Sequence, residues 1–283
     1  MNSVRNIIST PLARRTPFYC IEAFGALAAL CAFGCVAESL PPLAIAVIWA
    51  VASSVCAVAF LYPCIVKKRN TCEMYRDGSF IANRINGRAL RYCFCFALSA
   101  VLIAGLMIES QKWDLLEWAI AVAAVPLYLV VALCVDSWIS HREYKPFYRA
   151  RGTMLISWAI TGVVLTALYL VAFLGDPANN HATFGEAFSA TKLLFDDSPS
   201  AVLATIGQVG YLTDGLMEWG ISNLSQANPL AAAAAATIAV ALRASSAFAL
   251  AHIMSACSLA PSVLKATFKP IEGHDTPRER IKT

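Results

Sequence analysis

The sequence predicts an all-α membrane protein whose chain crosses the bilayer six times. Of the 283 residues, 58% are hydrophobic and only 14% are charged, whereas soluble domains carry about 25% charged residues. The charges also leave long gaps, with none in residues 39–66, 92–108, 118–135, 152–175 or 244–264. A bilayer core of ~30 Å requires about 20 apolar residues in a helix. Each gap approaches or exceeds that length.

These gaps and their flanks predict six spanning helices within one membrane domain at residues 17–260. The approximate spans are residues 17–37, 41–66, 90–108, 118–136, 153–175 and 229–260. A basic N-terminus, residues 1–16, precedes this domain, and a polar, flexible tail, residues 261–283, follows it. Both are predicted to be cytoplasmic.

The charges of the connecting segments predict the orientation. The N-terminus, the loops at residues 67–91 and 137–152 and the C-terminal tail are each basic, whereas the three connections between them are acidic or nearly uncharged. An excess of Lys and Arg marks cytoplasmic loops. Because basic and non-basic connections alternate along the whole chain, both termini are predicted inside, which requires an even number of spans. The basic inner loops are expected to contact anionic lipid head groups.

Residues 199–226 have apolar side chains at helical spacing, but we do not expect them to cross the membrane. They contain four glycines and the polar residues Gln208, Asp214 and Glu218. A span here would also place the basic tail outside. We therefore predict an amphipathic helix that lies on the outer surface or re-enters the bilayer.

Arg243 is the most informative residue of the last predicted span. It lies about 14 residues from Pro229 and 18 from Pro261, which predicts a position near the bilayer midplane, where an arginine costs ~2.5–3.5 kcal/mol on insertion scales. Steps of four residues from it meet only small side chains, which let helices approach closely. This row consists of Ala235, Ala239, Ala247, Ala251 and Ser255.

Three hypotheses account for Arg243. It forms an ion pair inside the fold, it lines an aqueous or anion path, or it meets an acidic residue of another subunit. The candidate partners in this chain are Glu22, in the first span, and Asp214 and Glu218, if the outer segment re-enters.

His252 and Glu22 are the other polar candidates inside the membrane. Their predicted depths match, so a proton-sensitive Glu22–His252 contact is one hypothesis. The simpler alternative is a histidine hydrogen-bonded to Ser245, Ser255 or a neighbouring carbonyl group.

The sequence does not predict an enzyme. Ser245 and His252 lie about 10.5 Å apart along one helix, too far for a nucleophile and its base. We expect no catalytic set, metal site or cofactor, and no direct binding to nucleic acid. Free cysteines pack as small apolar residues, and we read the ten cysteines in this way.

Two functional hypotheses remain. The first is a structural or assembly subunit of a multi-component membrane complex of the secretion, DNA-transfer or defence type, forming homo- or hetero-oligomers with other membrane proteins. The second is an oligomeric channel or transporter with Arg243 and residues 199–226 along its path. The expected location is a bacterial inner membrane, and the mitochondrial inner membrane is the alternative.

Overall fold

Six long helices make up nearly all of the chain that the structure describes. A computed structural model describes residues 11–74, 88–140, 146–174 and 229–259, together with Gly185 and six residues between 208 and 220. These ranges contain no β-strand. The helices are α1 (Pro11–Val36), α2 (Pro42–Met74), α3 (Arg88–Glu109), α4 (Leu115–Ser140), α5 (Pro146–Leu174) and α6 (Pro229–Cys257), with a short 3₁₀ turn at Ala37–Ser39.

The all-α prediction is confirmed, and each predicted span corresponds to a helix. Within the described residues, five helices are long and apolar enough to cross a membrane: Thr16–Val36, Pro42–Cys64, Arg91–Glu109, Leu115–Ser140 and Arg149–Ala172. The sixth span and the cytoplasmic position of both termini stay predictions. The described residues of the predicted outer segment, including Gln208, are helical, whereas Asp214 and Glu218 lie outside the described residues.

The last helix is the centre of the bundle. α6 contacts all five other helices, most extensively α5 and α3. Its C-terminal half is almost completely enclosed, since Ala247, Leu250, Ala251 and Met254 are 0% exposed. Small side chains permit this because they let neighbouring backbones come close. Ser255 of the predicted small row is also buried, and the side chains of Ala235 and Ala239 lie outside the described residues.

Three contacts show that α3 and α6 are antiparallel. They also show which residues of the two helices are level with each other. Arg243 meets Glu109, and a Cβ atom on Gly105 would lie 3.5 Å from the Ser245 hydroxyl. Ser99 Oγ lies 3.3 Å from His252 Nε2. As residue numbers fall along α3 they rise along α6, so the end of α3 is level with the middle of α6.

A partly buried ion pair connects α4 to α5 at the opposite end of the bundle. Arg149 donates to both carboxylate oxygens of Asp136, over 2.7 Å from Nε and 2.8 Å from Nη2. The hydroxyl of Thr153 donates to the same carboxylate over 3.3 Å. Two parallel hydrogen bonds between a guanidinium group and a carboxylate add geometric specificity to the charge attraction, so this contact fixes the α4–α5 hairpin.

α5 approaches α6 through a glycine. The Trp158 indole donates to the carbonyl group of Phe248 over 3.1 Å, and the two aromatic rings meet edge-to-face with centroids 5.2 Å apart. A Cβ atom on Gly162 would lie 2.5 Å from the Phe248 ring. The absence of a side chain at Gly162 therefore allows this contact.

We predict that Gly162→Ala destabilises the protein by roughly 1–3 kcal/mol, the usual effect of overpacking a filled core. The measurement is the free energy of unfolding in detergent. Gly25→Ala is the matched control, because no atom lies within 4 Å of a Cβ atom built at Gly25. Equal stability of the two variants would contradict the proposed close contact.

Candidate functional site

Charged side chains from α3, α4, α6 and the α3–α4 connection meet in one cluster, which we call the outer ion cluster. Arg243 donates from Nη1 to Glu117 Oε1 over 2.6 Å, and its Nε atom lies 3.9 Å from Glu109 Oε2. Lys112 Nζ lies 3.4 Å from Glu109 Oε1. The three paired residues Arg243, Glu109 and Glu117 are all mostly buried, with side chains 15%, 10% and 12% exposed. The arginine charge is therefore compensated within the chain.

The local sequence of α4 explains why Glu117 is in position. The backbone N–H of Glu117 donates to Asp114 Oδ1 over 2.8 Å, and the backbone N–H of Asp114 donates to Glu117 Oε2 over 3.2 Å. This reciprocal pair is a capping box, which satisfies N–H groups that the first turn of a helix otherwise leaves without partners. One oxygen of Glu117 is thus held by the helix start, and the other faces Arg243.

Aromatic rings surround the outer ion cluster. The rings of Trp113 and Tyr169 stack with centroids 5.7 Å apart, and Trp118 meets Trp113 edge-to-face at 5.0 Å. Tyr169 lies close enough to Glu117 and Arg243 to interact with both charges. Trp and Tyr concentrate where a membrane meets water. The cluster and its aromatic rings therefore lie level with the ends of two apolar segments, at Glu109 of α3 and Leu115 of α4.

Arg243 is level with Glu109, the residue at which the apolar segment of α3 ends. The sequence predicts a position near the bilayer midplane by counting residues from Pro229 and Pro261, as if both marked the membrane surfaces, and that depth stays a prediction. Because Arg243 is level with the end of α3, the 14 residues of α6 before it extend about 21 Å past that end, at 1.5 Å per residue.

The structure gives Arg243 partners that we did not predict. Glu109 and Glu117 were recognisable only as charges of an acidic outer connection, more than 120 residues away in sequence. Of the predicted partners, Glu22 is on α1 at the edge of a cavity, far along the bundle from this cluster. Two signals could have identified Glu109 and Glu117: both residues are acidic, and each lies next to the end of a predicted span.

His252 occupies a separate polar site inside the bundle. The ring is 2% exposed, it lies 3.3 Å from Ser99 Oγ through Nε2, and it also hydrogen-bonds to the backbone of Cys56. Its face stacks on Phe60 with centroids 3.8 Å apart. The simpler sequence hypothesis, a hydrogen-bonded structural histidine, agrees with this environment, although the side-chain partner is Ser99 on α3 instead of Ser245 or Ser255.

An apolar cavity of about 640 Å³ separates α1 from α2, and α3 and α6 form its floor. Although α1 and α2 are consecutive, they make little direct contact. Residues at the cavity mouth are exposed on both sides: Glu22 and Ala29 on α1, and Ile48 and Val55 on α2. Every other lining residue is apolar, so Glu22 supplies the single charge among them. This volume lies within the ~300–1,000 Å³ range of ligand sites.

Comparisons with known proteins gave no match: no family model fits the chain, and no curated protein or solved structure is similar to it. In the part of the chain that the structure describes, His, Cys, Asp and Glu side chains form no group that could hold a metal ion. The fold alone defines the class, a helical protein with five described helices long and apolar enough to cross a membrane.

We predict that Arg243→Gln destabilises the protein by roughly 3 kcal/mol, because it removes the cation that pairs with the mostly buried Glu117 carboxylate. The double variant Arg243→Gln/Glu117→Gln should recover part of this loss, and a double-mutant cycle in the free energy of unfolding measures the coupling. Lys112→Gln is the control, since its contact is longer and we expect a smaller effect. Additive single effects would contradict a direct Arg243–Glu117 pair.

The position of Arg243 also predicts how the two halves of α6 exchange backbone hydrogen with water. Amides of residues 230–240, beyond the end of α3, should exchange before those of residues 245–255, which the other helices enclose. The reason is that exchange requires local opening and water access. Hydrogen–deuterium exchange with mass spectrometry measures both halves in the unmodified protein. Uniform protection along α6 would contradict this position.

Proposed function

We propose that this chain is a non-enzymatic membrane protein with six spans and both termini in the cytoplasm. In this proposal it is a structural subunit that assembles with other membrane proteins into a larger complex, of the secretion, DNA-transfer or defence type, in a bacterial inner membrane. A face of α1 that no described part of the chain covers supports the proposal.

This face, the α1 outer face, carries small residues over most of the span. Gly25, Ala28, Ala32 and Cys35 follow each other at spacings of three and four, and all are exposed. A Cβ atom built at Gly25 meets no atom within 4 Å. A row at this spacing runs straight along one side of a helix.

The exposed faces of α2 and α5 are different. α2 presents Leu43, Val47, Val51 and Val55, with 77%, 54%, 58% and 61% of each exposed, and α5 presents Val163 at 61%. Bulky aliphatic side chains of this kind suit contact with lipid. Small residues characterise surfaces where membrane helices pack against each other. The contrast within one molecule favours the α1 outer face as the site where a helix of another subunit docks.

The channel or transporter hypothesis receives less support. It assigned Arg243 to an aqueous path, but the guanidinium group contacts Glu117 and Glu109 in the outer ion cluster. A compensated cation attracts permeating anions less strongly than an uncompensated one. Most of residues 199–226, the other predicted element of the path, lie outside the described residues.

We predict that Ala28→Leu reduces assembly, because the added side chain keeps a docking helix at a greater distance. The measurement is the fraction of the chain found in a complex of fixed size on native gels of solubilised host membranes. A roughly tenfold loss of the complex corresponds to about 1.4 kcal/mol. Val163→Leu, on the bulky face of α5, is the control and should assemble normally.

Three results would contradict the assembly proposal. One is that Ala28→Leu assembles as well as Val163→Leu. Another is that the unmodified chain migrates as a monomer in host membranes. The third is that purified protein alone conducts ions across liposome membranes, which would favour the channel hypothesis.

A further inference from the structure

Two cysteine thiols meet where α2 and α3 approach each other near one end of the bundle. Ala57, Leu61 and Cys64 follow each other on α2 at spacings of four and three, which places them on one side of the helix. This side packs against Cys95 of α3, and the Cys64 and Cys95 side chains are hydrogen-bonded to each other. Both residues are reduced thiols in the structure. The two sulfur atoms are therefore neighbours before any covalent bond joins them.

The thiol pair lies at the end of two apolar segments that is predicted to face the cytoplasm. Cys64 is the last residue of the apolar segment of α2, and Cys95 comes shortly after Arg91, the first residue of that of α3. Four residues of helix rise only about 6 Å. Cys64 is partly exposed, whereas Cys95 is only 1% exposed. A small oxidant dissolved in cytoplasmic water therefore reaches Cys64 first, with Cys95 directly beside it.

We propose that Cys64 and Cys95 are a redox modification site, at which peroxide converts two neighbouring thiols into a reversible disulfide between α2 and α3. The Cys64 thiol gives up its proton, and the thiolate attacks one oxygen of hydrogen peroxide. The O–O bond breaks, which yields a sulfenic acid on Cys64 and a hydroxide that takes up the proton. Cys95 then gives up its proton and attacks the Cys64 sulfur, and the hydroxyl group of the sulfenic acid leaves with that proton as water.

The electrons and atoms of this reaction balance. Two thiols and one hydrogen peroxide molecule give one disulfide and two water molecules, so the cysteines are oxidised and the peroxide is reduced. Small cytoplasmic thiols reverse the reaction by exchange through a mixed disulfide, and two of them leave as one small disulfide. Because such thiols keep cytoplasmic cysteines reduced, disulfides that form there are usually transient and redox-sensing. The link between α2 and α3 therefore exists only while peroxide is abundant.

The disulfide joins the two helices that carry the longer of the predicted basic loops. Residues 65–94 lie between the two cysteines, and this interval contains most of the loop at residues 67–91, which is rich in Lys and Arg. A covalent bond between Cys64 and Cys95 prevents the two helices from separating at this end. The redox state of the pair thus determines how firmly the helices that carry this loop are held together.

The experiment treats host membranes that contain the full chain with hydrogen peroxide and then blocks the remaining thiols with N-ethylmaleimide under denaturing conditions. Peptide mass spectrometry should find Cys64 and Cys95 linked, with two hydrogen atoms lost, in a fraction of the chain roughly tenfold above that in untreated membranes. Dithiothreitol should remove the link. Cys93→Ser is the matched control, because Cys93 is exposed and close to Cys95 in sequence, and this variant should form the link normally.

Cys95→Ser separates the two chemical steps. It should form no disulfide at this site and should accumulate the sulfenic acid of Cys64, which dimedone traps as a stable adduct. In the unmodified chain the same adduct should be much less abundant, because Cys95 consumes the sulfenic acid. Cys64→Ser should give neither the adduct nor the link.

Four results would overturn the proposal. The first is that peroxide produces no link between Cys64 and Cys95 in the unmodified chain. The second is that Cys64 forms its main disulfide with Cys93 or with a second copy of the chain. The third is that the link forms in equal yield when the chain is denatured before treatment, since the folded contact would then have no part in it. The fourth is that dimedone traps Cys64 equally in the unmodified chain and in Cys95→Ser.

Discussion

The ion pair between Arg243 and Glu117 determines where the last helix lies along the bundle. α6 is in contact with every other helix, so its position affects all of the packing. A charge that is mostly buried must be close to its counter-charge, which leaves α6 little freedom to slide. Once Arg243 is level with the start of α4, His252 comes level with Ser99, and Phe248 meets Gly162 and Trp158. One electrostatic contact thus sets the depth at which the apolar contacts form.

Arg243 and His252, two polar side chains of α6, have different surroundings. Arg243 is level with the end of α3 and close to Tyr169, whereas His252 is almost fully buried and hydrogen-bonds to Ser99 and the Cys56 backbone. A neutral, hydrogen-bonded imidazole costs much less in such a place than a charged group. α6 therefore carries His252 in the enclosed part of the bundle as a hydrogen-bonded ring and Arg243 level with the end of α3.

The helices could be predicted from the sequence, because apolar length and gaps in charge depend on each segment alone. The partners of Arg243 could not, because they depend on how far α6 extends past its neighbours. Counting from Pro229 and Pro261 predicts Arg243 at mid-depth, and such a count does not show that α6 begins about 14 residues beyond the end of α3. Glu117 was likewise predicted to be a loop charge, since nothing in its neighbourhood indicates an arginine 126 residues away. The cavity was not predicted either, since it arises from the separation of α1 and α2, which share only a short connection.

The three sides of α1 have different surroundings. Tyr19, Ala23 and Leu27 are buried against the bundle, Glu22 and Ala29 line the cavity, and Ala28 is on the uncovered small face. A helix that only faced lipid would have no reason to carry a row of small residues on one side, so this face suits a helix of another subunit. Because Tyr19, Ala23 and Leu27 pack the opposite side of α1 against the bundle, α1 presents the small face from a fixed position.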